Sequence, residues 1–256
     1  MIIMIRLLLT KFKNILLLLL IGAMVVSTTS FSHAGEVNYT NAKQTIAIQQ
    51  KRDCEVVIRA GEYQGKAGKR IYVNSCTVNL PDDIPIRNDR DGKGFYVSEW
   101  DINVKEAKAL VNKLQAQGVN AKLQIAYSKS EDLNAAGRIA NKSNPYLYVS
   151  VHHNSYKEDS SGYFTMYNEN DAVGRSMAVR LSNAIRNNQV PQMDNRPNDG
   201  YIGEMNVINK TTIPVLLELG FFSNLDELET ICSDSYVDDI TTNLSNEIVN
   251  IIKESR

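Results

Sequence analysis

Two histidines, His152 and His153, end the run Tyr146-Leu147-Tyr148-Val149-Ser150-Val151-His152-His153-Asn154-Ser155. A lone carboxylate, Glu218, stands inside Ile213-Pro214-Val215-Leu216-Leu217-Glu218-Leu219, with no basic residue near it in sequence. An ionised carboxylate in so apolar a strand is costly to bury unless a cation or donors meet it. Its ordinary reading is a partner of a distant Lys or Arg; its chemical reading is a general base of raised pKa or a metal ligand. A histidine is more often a satisfied core or surface residue than a ligand. Side chains alternate along a strand, so Ser150, His152 and Asn154 share one face and Val149, Val151 and His153 the other. Only one of the two imidazoles can therefore serve a given site. Glu99, in Ser98-Glu99-Trp100-Asp101, and Glu62, in Ala60-Gly61-Glu62-Tyr63-Gln64-Gly65, complete the set. Glu99 has an ordinary role in favouring a helix macrodipole, and Glu62 as a loop glutamate. Taken together, the four offer potential ligands and bases after strands or at a helix start, and hydrolytic zinc sites use three His and carboxylate ligands plus water.

The elements that must position them alternate. Strands are expected over 54–60, 71–80, 120–127, 146–152, 162–167 and 213–219. Helices are expected from Ser98, with a capping-box pattern, to Gly118, then over 130–141, 172–186 and about 237–252. A turn-rich stretch covers 81–94, and 187–212 reads as a short polar loop without a long amphipathic helix to plug a groove. This order predicts a single α/β domain, a twisted, mostly parallel sheet flanked by helices on both faces. Active sites in such sheets lie beyond the carboxyl ends of the strands, where His152 and Glu62 fall.

Composition sets the compartment. The chain has 256 residues, 28 basic and 29 acidic, with 22% charged and 43% hydrophobic residues. That balance excludes a disordered chain, a multi-span membrane protein and a basic nucleic-acid binder. Residues 1–34 hold Arg6, Lys11 and Lys13, no acidic residue, and an apolar run from Ile15 to Val26. This order predicts a signal peptide cleaved after Ala34, hence export to the periplasm or outside the cell, with no stable membrane anchor. Residues 35–52 form a polar lead-in and 53–256 the functional domain, expected to be a monomer. Without the leader the chain is mildly acidic, at 25 basic against 29 acidic residues. Export permits disulfides, and Cys54 with Cys76 is the pairing considered, leaving Cys232 as a buried thiol; other pairings stay open.

The segment Ser150 to Ser155 and the segment Val215-Leu216-Leu217-Glu218-Leu219-Gly220-Phe221-Phe222-Ser223-Asn224 together resemble the zinc-dependent N-acetylmuramoyl-L-alanine amidases of bacterial cell walls. The Ser98-Glu99 helix start and the stretch Leu133 to Asn141, with Arg138, fit in order and spacing. The resemblance spans roughly 54–252. It implies one Zn²⁺ held by His152 and Glu99, Glu218 as the catalytic residue, and peptidoglycan as substrate. Asn154, on the face of His152, is a candidate substrate contact. One position departs: the family has a Gly-His pair where this chain has Gly61-Glu62. Glu62 as third ligand makes a harder, more anionic site, with a changed metal preference and a less acidic bound water. The expected activity is hydrolysis of the amide between N-acetylmuramic acid and L-alanine, in a groove open without an activator. The rival, resting on Glu62, is a non-catalytic peptidoglycan-binding or regulatory protein on the same fold. A metallopeptidase acting on other amides would share the chemistry.

Overall fold

The computed structural model describes residues 52–64, 69–131, 133–186, 189–200 and 202–256. The expected signal peptide and almost all of the lead-in lie outside them. Among the described residues, no helix is long and apolar enough to cross a membrane.

Among the described residues, nine strands and six α-helices follow in chain order: β1 (Val56–Ala60), β2 (Arg70–Val73), β3 (Arg87–Asn88), β4 (Phe95–Ser98), α1 (Glu99–Ala116), β5 (Ala121–Ile125), α2 (Leu133–Ser143), β6 (Leu147–Asn154), β7 (Phe164–Asn168), α3 (Ala172–Ala184), β8 (Arg196–Asn198), α4 (Gly203–Asn206), β9 (Ile213–Phe221), α5 (Leu225–Cys232) and α6 (Asp234–Glu254). The main sheet has the order β5-β1-β6-β9-β7-β8. Strands β5, β1, β6 and β9 run parallel, β7 is antiparallel to β9, and β8 is parallel to β7. The expected mostly parallel sheet is therefore what forms. Its central strands β6 and β9 are buried along nearly their whole length, which is why both read as almost unbroken apolar runs.

The two faces differ. Val56, Ile58, Val149, Val151, Val215 and Leu217 pack with the apolar stripes of α1, α3 and α6 in one large core. On the opposite face Val57 and Tyr148 meet Ala140 of α2 in a small cluster, and α2 packs on α4. Arg59, Ser150, His152 and Glu218 follow the parity of this second face.

Three expectations need correction. The strand expected over 71–80 is shorter, because the Asn74 side chain accepts from Cys76 N at 3.0 Å and its carbonyl from Thr77 N at 3.0 Å, turning the chain. β2 instead joins β3 and β4 in a separate three-stranded antiparallel sheet that composition did not reveal. The capping box at Ser98 is not made: Ser98 is the N-cap residue without a side-chain cap, and Asp101 is taken by the Arg87 guanidinium. Lys69 O accepts the Glu99 N–H at 3.0 Å instead. Finally, all three cysteines are free. Cys54 is enclosed beside Val57 and Tyr148, whereas Cys76 is exposed in the turn after β2, so this pairing is not formed. Cys232 is buried, as expected.

Candidate metal centre and catalytic carboxylate

The carboxyl ends of the parallel strands gather the expected residues. Glu62 follows β1 directly, Glu99 is the first residue of α1, and His152 lies near the end of β6. One ligand atom from each of Glu62, Glu99 and His152 lies within 4.8 Å of the others. Glu218 pairs in register with His152 on the adjacent strand β9, so the two side chains leave the same face about 4.8 Å apart.

Each is held by its element. Glu99 Oε1 accepts from Asn103 Nδ2, one turn along α1, at 3.1 Å and from the His153 backbone N–H at 3.2 Å, and it lies 3.2 Å from His152 Nδ1. His152 Nε2 is 3.1 Å from Ser150 Oγ, two residues back on the same face. Gly61 lies flat against the imidazole: a Cβ there would sit 2.5 Å from three ring atoms. Glu62 has φ of 61°, the left-handed region that a glutamate enters only at a cost. His153 points the other way, with Nδ1 2.9 Å from Asn103 Oδ1 and Nε2 3.3 Å from Glu106 Oε1. The alternation read from the sequence thus divides the two histidines correctly, one in the site and one in the core.

Asn154 lies past a register shift between β6 and β9. Its Oδ1 accepts from the Ser155 N–H at 2.7 Å, turning that oxygen toward its own backbone. Arg138 is exposed on α2.

Two participants carried no expectation. Arg59, on β1, and Glu204, in the four-residue helix α4, are 1% and 0% exposed and form an ion pair at 3.1 Å. Glu204 Oε1 stands 3.6 Å from His152 Nε2, and Arg59 Nη2 donates to the Glu62 carbonyl at 3.3 Å. Arg59 offered the same signal as Glu218, a charge inside an apolar strand; Glu204 offered none, in a stretch that reads as polar loop.

The electrostatics are those of crowded carboxylates around one imidazole. Burial opposes the imidazolium, but Glu204 and Glu99 outweigh it and lift the His152 pKa to about 10. Burial raises the Glu204 carboxyl as well, yet Arg59 and His152 prevail and hold it at about 2. Glu99 is likewise pressed up by burial and held below its ordinary value by His152. Glu62 is raised, first by burial and then by Glu99. Burial pushes Glu218 up to about 7, with the Glu99 charge adding to it and His152 opposing.

This donor set fits a divalent cation. Two carboxylates and one imidazole are a set that Zn²⁺ accepts. Glu99 Oε2 and Glu218 Oε2 are buried without a hydrogen-bond partner, although the Lys69 ammonium lies 3.7 Å from Glu99 Oε2. A cavity of about 490 Å³ is lined by Gln64, Ser98 and Trp100, sequence neighbours of Glu62 and Glu99, and by Arg70 and Arg87 of the smaller sheet, but by none of the four site residues themselves.

Known proteins share this fold. A crystal structure of N-acetylmuramoyl-L-alanine amidase from Clostridium difficile 630 is similar with a TM-score of 0.58 at 19% identity, over 79% of this chain and 98% of that one. The amidase AmiC2 of Nostoc punctiforme is similar with a TM-score of 0.58 at 20% identity, over 80% of this chain and 99% of its own. At these identities the likeness establishes the fold. An uncharacterized protein of Bacillus subtilis (strain 168), YqiI, is 31% identical over 150 residues, covering 57% of this chain and 69% of that protein. The family described as N-acetylmuramoyl-L-alanine amidase matches residues 88–250, a span that contains Glu99, His152 and Glu218 and begins after Glu62. With well over half the sequence in that match, the chain belongs to the N-acetylmuramoyl-L-alanine amidase family.

Proposed function

We propose that the protein is an exported, monomeric, metal-dependent amidase that hydrolyses the bond between the lactyl group of N-acetylmuramic acid and L-alanine in peptidoglycan. The observation that carries this reading is the convergence of Glu62, Glu99 and His152 within 4.8 Å, with Glu218 beside them in register. Those three residues would hold the ion, with Zn²⁺ the family's metal, which would supply Lewis acidity toward water and the scissile carbonyl.

The chain's own residues do the rest. Glu218, poised near neutrality, accepts the proton of the attacking water and returns it to the leaving amine of L-alanine. Enclosure of Glu218 and His152 keeps bulk water from screening the charge that develops on the carbonyl oxygen. Asn154, half-buried at the end of β6, contacts the substrate. The cavity lined by Gln64, Ser98 and Trp100 would receive the portion of the muropeptide that leads away from the scissile bond.

Digestion of purified peptidoglycan tests the reading. Wild-type protein should release new L-alanine amino termini without cleaving glycan, and Glu218→Gln should reduce the rate by about 10²–10⁴-fold while keeping its secondary structure. Full turnover by the folded variant would remove Glu218 from the mechanism. Sacculus binding without any cleavage or stoichiometric metal would favour the non-catalytic rival instead.

A further inference from the structure

We infer that Arg59 and Glu204 form a positioning pair that sets two of the proposed metal ligands, His152 and Glu62, from behind. The inference rests on the reading of Glu62, Glu99 and His152 as the metal ligands. Two charges with 1% and 0% exposure are expensive to enclose, and well-packed apolar residues commonly serve stability as well or better. A buried pair here therefore calls for a role beyond cohesion.

Its placement supplies one. The Nδ1 edge of His152 faces Glu99, and the Nε2 edge faces Ser150 Oγ at 3.1 Å, Arg59 Nη1 at 3.4 Å and Glu204 Oε1 at 3.6 Å. The ion pair behind this edge sets the plane of the imidazole and leaves its Nδ1 edge turned toward Glu99. Arg59 Nη1, 3.1 Å from Glu204 Oε2, balances the carboxylate by charge. The same guanidinium donates through Nη2 to the Glu62 carbonyl at 3.3 Å, on the residue whose φ is 61°. A planar fork can bridge these acceptors at once, which a lysine cannot. One cation thus ties the imidazole of β6 to the turn after β1. Glu99 is set separately, by Asn103 and the His153 N–H. Neither Arg59 nor Glu204 needs to touch substrate.

The test measures metal affinity rather than activity. Zn²⁺ binding is followed by competition with a chromogenic chelator, the visible spectrum of the Co²⁺-substituted protein reports ligand geometry, and circular dichroism reports folding. Glu204→Gln should weaken Zn²⁺ binding about 10–100-fold and alter the Co²⁺ spectrum with secondary structure unchanged. The double variant Arg59→Met/Glu204→Met removes both charges together, so it keeps the fold if the single change does not, and should lose at least as much affinity. Folded variants that bind Zn²⁺ within twofold of wild type, with the wild-type Co²⁺ spectrum, would overturn the inference. Wild-type protein that binds no Zn²⁺ would instead overturn the metal reading beneath it.

Discussion

Replacing Gly61 by alanine should damage the site more than the fold. An ideal Cβ at position 61 lies 2.5 Å from Cδ2, Cε1 and Nδ1 of His152, whereas ordinary contact begins at 3.4 Å. The ring must therefore retreat by about 0.9 Å, or the turn after β1 must do so. Neither has room. The imidazole is backed by Ser150, Arg59 and Glu204, and the Gly61 N–H is tied to Val151 O at 2.8 Å. Overpacking of this kind costs about 1–3 kcal/mol, which lowers the melting temperature of a domain this size by roughly 2–12 °C. A misplacement near 1 Å in a catalytic constellation costs on the order of 10²-fold in rate. The assay is release of L-alanine amino termini from purified peptidoglycan at saturating Zn²⁺, beside thermal melting and Zn²⁺ affinity. Gly174→Ala is the control: its Cβ would meet the Asp171 carboxyl at 2.9 Å and disturb the cap that this side chain makes on the Gly174 N–H, at the start of α3 and away from the proposed ligands. It should leave activity alone. If Gly61→Ala retains activity within threefold and unchanged Zn²⁺ affinity, the glycine does not hold His152 in place and the reasoning fails.

Other outcomes follow from the same geometry. Glu218 is a carboxyl whose folded pKa, about 7, lies above its ordinary 4.5, so it destabilises the metal-free fold increasingly as pH rises from 4.5 and fully above 7. Glu218→Gln should accordingly stabilise chelator-treated protein at pH 8, by on the order of 3 kcal/mol of unfolding free energy, and the gain should vanish toward pH 4; an equal gain at both pH values would contradict this. Glu62→Gly should relieve the left-handed strain, worth about 1 kcal/mol, while cutting Zn²⁺ affinity, so that stability and metal binding move in opposite directions in paired melting and titration. Tyr236→Phe removes a buried 2.6 Å hydrogen bond to Leu219 O, next to Glu218, and should cost about 1 kcal/mol in denaturant unfolding with little loss of turnover.

Much of the site was legible because its residues break local rules. Glu218 inside an apolar strand, and His152 on the opposite parity to Val151, announce themselves through a period of two. The parallel sheet was legible for the same reason, its central strands being apolar on both faces. What was hidden depends on contacts between distant segments. Glu204 sits in an unremarkable loop sequence and acquires meaning only because α4 packs on α2 beneath the ends of the strands. The smaller sheet was missed because β3 has two residues and β2 ends in an Asn turn, too short for any periodicity to register. The capping box failed because Arg87, fourteen residues before Asp101, claimed that carboxylate.

The proposed ligands and the residues that serve them do not rest on equally durable parts of the molecule. His152 and Glu218 belong to β6 and β9, the innermost hydrogen-bonded ladder, whose amides should exchange with solvent deuterium only on global opening. Glu62 and Glu204 belong to a turn and to a helix of four residues, segments that open locally at far lower cost. The residence time of the ion should then be governed by fluctuation of those two short segments, not by unfolding. Isotopically labelled zinc would exchange into the protein much faster than deuterium reaches the amides of β6, and the protein could trade one divalent ion for another while its sheet stays shut.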